Sequence, residues 1–101
     1  MAWRETAAQH DRLQRELTEE RAAAVLRISR RLEALIAELH DIRQRIGALD
    51  PAQRERERTA YRAVRNEAMK YRWFLEVQRE AMGLRDQRGL DEFYRLPPAE
   101  P

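Results

Sequence analysis

His10 and His40 are the only histidines in the chain, and the side chains that could join them in chemistry are carboxylates. Histidine shuttles protons near neutral pH and ligates transition metals through a ring nitrogen. These two stand 30 positions apart on what reads as one helix, about 45 Å at 1.5 Å per residue. They cannot share a metal within one chain. Di-metal sites in helical bundles use Glu-x-x-His, but the residues three before His10 and His40 are Ala7 and Ala37. His10 falls on an apolar stripe, where the ordinary reading is a core-edge histidine. Among the acids, Glu16, Glu19 and Glu20 approach Glu76 and Glu80 if the chain folds back as argued below, the kind of set a hard cation would need. Each sits amid arginines, so ion pairing outranks acid–base or metal work. Ser29 is the lone serine, there is no cysteine, and no glycine-rich loop could cradle a phosphate. The expectation is a protein that is not an enzyme and carries no cofactor or metal.

Composition narrows the class further. The 101 residues suffice for one domain. Charged residues make up 38%, with three glycines and four prolines, a profile of long helices rather than of a sheet with frequent turns. Twenty basic and 18 acidic residues interleave to a net charge of +2. A dedicated nucleic-acid binder carries a one-sided cationic excess instead. No apolar run approaches a membrane span, and the N-terminus lacks the apolar core of a signal peptide. The expected location is cytoplasmic, with no membrane partner.

The periodicity is helical from the start. Taking Leu35 as reference at about 100° per residue, Trp3, His10, Leu13, Leu17, Ala24, Ile28, Leu32, Leu39, Ile42, Ile46 and Leu49 share one face. From Ile28 to Leu49 the spacing alternates four and three, the seam of a coiled coil. "GALDPAQ" interrupts it. Gly47 can end a helix in the left-handed conformation, Asp50 can cap the next one, Pro51 suits its first turn, and Gln53 completes a capping box. The spacing predicts helix 1 over about 3–48 and helix 2 over about 51–83, with Gly83 and Gly89 ending regular structure. So short a link forces antiparallel neighbours. Residues 1–84 form the helical hairpin, and 85–101 an aromatic, proline-rich tail.

Helix 2 carries "YRWFLEV" at residues 71–77. Folding at residues 48–49 sets residues 71–76 beside 22–27, which include "AAAV". Large side chains against small ones fill a core without voids, which assigns Tyr71, Phe74 and Leu75 to the hairpin. The same pairing brings Trp3 toward Phe93 and Tyr94. Trp73 stays unexplained. With Val77 and Leu84 it makes a second apolar stripe, and Leu26 and Ile36 lie off the main stripe of helix 1. Two packed helices bury little surface. A second copy would cover the extra stripe and complete an antiparallel four-helix bundle.

The sequence predicts an all-α antiparallel two-helix hairpin with coiled-coil packing, dimerising to a four-helix bundle. Its function is non-enzymatic: a protein–protein interaction scaffold or adaptor that pairs with itself and with another protein. The interface residues are Trp73, Val77, Leu84, Leu26 and Ile36. Leu90, Phe93, Tyr94 and Leu96 either dock on a partner or fold back over helix 1. The alternative is nucleic-acid binding through Arg54, Arg56, Arg58, Arg62 and Arg65 at the hairpin tip, where the alternating acids point to a solvated, ion-paired face. "IRQRIGALD" resembles the opening helix of the small all-helical chorismate mutases over those nine residues, and "PAQRERER" departs from them at the next turn. The length and hairpin are similar to the secreted Trp-x-Gly proteins, whose Trp-Gly turn this chain lacks. Neither resemblance carries a residue role over.

Overall fold

The computed structural model describes residues 2–101, with side-chain surroundings from residue 6 onward. It is all-helical. Helix α1 spans Ala2–Arg45, α2 spans Pro51–Ala81, and a short α3 spans Arg88–Phe93. Helices α1 and α2 pack as an antiparallel hairpin, 75 Å along its longest axis.

No glycine or proline interrupts residues 2–45, so α1 runs unbroken until the chain tightens into a single 3₁₀ turn at Ile46–Ala48. Gly47 does not end the helix in the expected way. Gly83 is the one positive-φ residue among those described. The reversal comes instead from Leu49 (φ −91°, ψ 155°) and Asp50 (φ −70°, ψ 167°), both extended. Two extended residues after a 3₁₀ turn reverse the chain without a left-handed one. Arg54 closes the turn by donating Nη2–H to the Leu49 carbonyl at 2.8 Å.

At Asp50 the capping box is present in full. The Asp50 carboxylate accepts from the Gln53 backbone N–H at 2.8 Å, and the Asp50 N–H donates to Gln53 Oε1 at 3.2 Å. Two amides that the first turn leaves unpaired are thereby satisfied. Helix α2 ends in a Schellman motif. Leu84 N–H donates to the Arg79 carbonyl and Gly83 N–H to the Glu80 carbonyl, each at 2.9 Å. That geometry needs a left-handed residue, which Gly83 supplies at φ 85°. Gly89 does not end regular structure as expected. It lies inside α3, which caps poorly and gains its place from the buried Leu90.

The core follows the seam. Leu32, Leu35, Leu39 and Ile42 of α1 are buried against Tyr61, Ala68 and Leu75 of α2. Each fully buried Leu contributes roughly 1.5–3 kcal/mol over an exposed one. The register agrees with the expected fold-back, since Gln78 shares a surface recess with Ala23, Ala24 and Arg27. Leu75 is buried and Tyr71 packs half-buried on the core, while Phe74 is half-buried outside it. Arg31 reaches Glu67 at 3.9 Å in the same register. Helix α1 is longer than α2 by 13 residues, about 20 Å of helix. Thr18 and Arg21 lie beside Ala81 and Met82, so the turns before them run on without a partner helix. His10, expected at a core edge, is exposed there for that reason.

The tail makes a third layer. After α3 it turns toward the hairpin tip rather than over the first turns of α1. Arg72 pairs with Asp91, Arg65 Nε donates to the Pro97 carbonyl at 2.9 Å, and the Tyr61 hydroxyl donates to the Pro98 carbonyl. Arg62 grips Glu100 through Nε at 3.0 Å and Nη2 at 3.1 Å. These anchors step down α2 from 72 to 62 as the tail climbs from 91 to 100. Tyr94 and Leu96 join the core cluster, and Pro97 is buried. The expected approach of Trp3 to Phe93 and Tyr94 involves a side chain outside those described. Phe93 and Tyr94 pack edge-to-face on each other at 4.8 Å.

Candidate interaction surface

The second stripe of α2 stands out in the open. Trp73 is 58% exposed, and Val77 and Leu84 are exposed with it. Trp73 lies two residues before the buried Leu75, about 160° from it on the helix, so it points away from α1. Among the described aromatics its ring touches only Phe74, at 5.6 Å with the planes tilted by 54°. Met69, one turn before Trp73, is 49% exposed and extends the stripe. Residues 69, 73 and 77 thus repeat every four positions on one face. Leu84 lies beyond the end of α2, after the Schellman turn, and so is not part of that helical face.

Leu26 and Ile36 do not join this face. Leu26 is exposed, but it lies nine residues before Leu35, half a turn from the seam on the side of α1 facing away from α2. Ile36 is half-buried and packs against the chain's own core. Of the tail residues, Leu90 is buried, and Tyr94 and Leu96 are half-buried against the hairpin. Phe93 differs: it is 74% exposed. It sits between the anchors at Asp91 and Pro97, so its stretch of chain passes the turns of α2 that carry Met69 and Trp73.

The basic tip is largely occupied by internal bonds. Arg54 holds the Leu49 carbonyl, Arg58 pairs with Glu55 at 3.3 Å, Arg62 with Glu100, and Arg65 with the Pro97 carbonyl. Of the five tip arginines only Arg56 has no hydrogen bond or ion pair among the described residues. The Arg62 hydrogen bonds, with charge from Arg62 and Arg58, hold the Glu100 carboxyl below its usual range.

The carboxylate set does not assemble. Glu76 pairs with Arg72 at 2.9 Å, and Glu16, Glu19, Glu20 and Glu80 are exposed. Among the described residues no group of three or more His, Asp or Glu side chains is placed to hold a metal ion. No helix is long and apolar enough to cross a membrane.

No family model, curated protein or solved structure matches this chain. Function must therefore be argued from the surface itself. Met69 and the tail anchors escaped sequence reasoning. For Met69 the signal was present, because it stands four residues before Trp73. For the anchors it was not. Nothing in the spacing of Tyr61, Arg65 and Arg72 says that a distant proline-rich segment will return to them.

Proposed function

We propose that this chain is a non-enzymatic protein-interaction module, a scaffold or adaptor that pairs with a second copy through the outer face of α2. The observation that carries the reading is the exposed Met69–Trp73–Val77 stripe on the side of α2 away from its own partner helix. The tail lies alongside, where the Arg65 that holds Pro97 also reaches Met69 Sδ, and it leaves Trp73 and Val77 exposed. Large aromatic and methionine side chains are over-represented in interfaces, and tryptophan is foremost among energetic anchors.

Charge around the stripe supports an antiparallel copy as the occupant. A two-fold axis passing near Leu75 sets Trp73 against the partner's Val77 and Val77 against the partner's Trp73. The same operation sets Lys70 opposite the partner's Glu80, and Glu80 opposite the partner's Lys70. Both are exposed. A single symmetry operation thus matches large to medium apolar groups and opposite charges, as an isologous interface requires. The product is an antiparallel four-helix bundle with both tails on its outside.

The magnitude follows from exposure. A tryptophan side chain offers about 150–250 Å², and 58% of that is open here. Covering it is worth about 2–4 kcal/mol per copy at roughly 25 cal/mol per Å². Two copies contribute in a symmetric pair, so Trp73→Ala should weaken self-association by roughly a thousandfold or more. Sedimentation equilibrium of both proteins checks this. Lys70→Glu should also weaken the pair, and adding Glu80→Lys should restore it. Association that ignores all three substitutions would refute this interface. Binding to nucleic acid that falls steeply with salt, and is lost with Arg54, Arg56 and Arg58 changed to Gln, would favour the tip instead.

A further inference from the structure

Where the tail meets the hairpin, His40 and Arg43 of α1, Arg65 of α2, and Arg95, Leu96, Pro97 and Pro98 of the tail line an open cleft of about 560 Å³. Three guanidinium groups and an imidazole line it, and no carboxylate does. Elsewhere some arginines are neutralised by acids, as Arg45 is by Glu57, Arg62 by Glu100 and Arg72 by both Glu76 and Asp91. Here Arg43 and Arg95 have no ion-pair partner among the described residues. Arg65 is half-buried and fixed in place, because its Nε donates to the Pro97 carbonyl and its Nη1 to Met69 Sδ. Its Nη2 remains for another acceptor. Like charges gathered without a counter-charge repel one another, and the arrangement is relieved by an anion.

We propose that this cleft binds a small phosphorylated molecule with a ring-bearing remainder, of nucleotide size. Guanidinium forks match the paired oxygens of a phosphoryl group, and a lining of several without a carboxylate favours a dianion over a lone carboxylate. The prolines and Leu96 supply an apolar wall for the remainder of the ligand. The volume falls within the ordinary range for small-molecule sites, about 300–1,000 Å³. Because one wall belongs to the tail and the other to the hairpin, the ligand binds only the closed arrangement. Binding therefore holds the tail down. The site adjoins the Trp73 face through the Arg65–Met69 contact but does not include Trp73 or Val77.

Adenosine monophosphate is the probe, titrated into the full chain by calorimetry at constant ionic strength, with inorganic phosphate and adenosine in parallel. The expected result is saturable one-to-one binding of the nucleotide, tighter than phosphate, with none for adenosine. Arg43→Gln and Arg95→Gln should each weaken it at least tenfold. Both residues are exposed, so the fold survives the change. Arg56→Gln, removing an unpaired arginine elsewhere, should leave it unchanged. Amide exchange of residues 95–100 should slow with the nucleotide bound. A non-saturating response, or equal losses in Arg56→Gln and Arg43→Gln, would overturn the site. Phosphate binding as tightly as the nucleotide would overturn the apolar wall.

Discussion

Removing one oxygen atom, in Tyr61→Phe, tests whether the tail is an integral layer of this fold. The ring of Tyr61 is fully buried between α1 and α2, while its hydroxyl reaches past the core to the Pro98 carbonyl, 37 residues on. The substitution keeps the ring and deletes that bond alone. A neutral hydrogen bond contributes about 0.5–1.5 kcal/mol net. Pro98 is exposed, so its carbonyl regains water and the loss should lie in the lower half, about 0.5–1 kcal/mol. In a chain of this size that is a fall in Tm of roughly 2–8 °C. Tyr61→Ala removes the ring as well and should cost about 3–5 kcal/mol, the range for emptying a large aromatic site. Urea unfolding measures both, and the m-value of Tyr61→Phe should stay at the wild-type figure. Amide exchange supplies the decisive detail, because Tyr61→Phe should speed exchange in the tail before it affects the α1 seam. Unchanged stability together with unchanged tail exchange would refute the reasoning. So would uniform loss across all elements, which would make the hydroxyl part of the hairpin core and not a tail anchor.

Other consequences follow from the caps and charges. Asp50→Ala removes the carboxylate that accepts the Gln53 N–H, and should cost about 0.5–2 kcal/mol by urea unfolding. Asp50→Asn should recover most of that. The end of the tail should respond to acid. The Glu100 carboxyl is held below its usual 4.5 by its hydrogen bonds to Arg62. A carboxylate depressed in the folded state stabilises above its unfolded pKa, and that contribution fades as pH falls through the folded value. NMR order parameters for residues 99–101 should therefore drop as pH is lowered below 4.5. In Glu100→Gln they should already be low at neutral pH and show no such step.

The sequence was a good guide wherever local chemistry decides. A four-and-three seam from Ile28 to Leu49 needs a partner helix, and "DPAQ" names the place where that helix begins. Asp50, Pro51 and Gln53 each act within a single turn, so their roles were readable. Gly47 misled because two routes reverse a chain, and composition alone does not choose between a left-handed residue and two extended ones. Gly89 misled because a short helix can tolerate a glycine when Leu90 pays back in burial. Trp73 and Val77 were correctly separated from the core by their angle on the helix. Leu26 and Ile36 were grouped with them only because they left the main stripe, although leaving it in different directions puts them on different faces. The path of the tail was not legible. All of its anchors but Arg72–Asp91 join residues more than 30 positions apart, as in Arg65 to Pro97 and Tyr61 to Pro98. No periodicity records such pairings.

The central claim is that the outer face of α2 meets a second copy of the chain. Light scattering of the wild-type protein over a dilution series, in high and low salt, tests it most directly. The expected result is twice the chain mass of 12.1 kDa at high concentration, falling toward one chain mass on dilution, with little dependence on salt because the contact is mainly apolar. A single chain mass of 12.1 kDa at every concentration would contradict it.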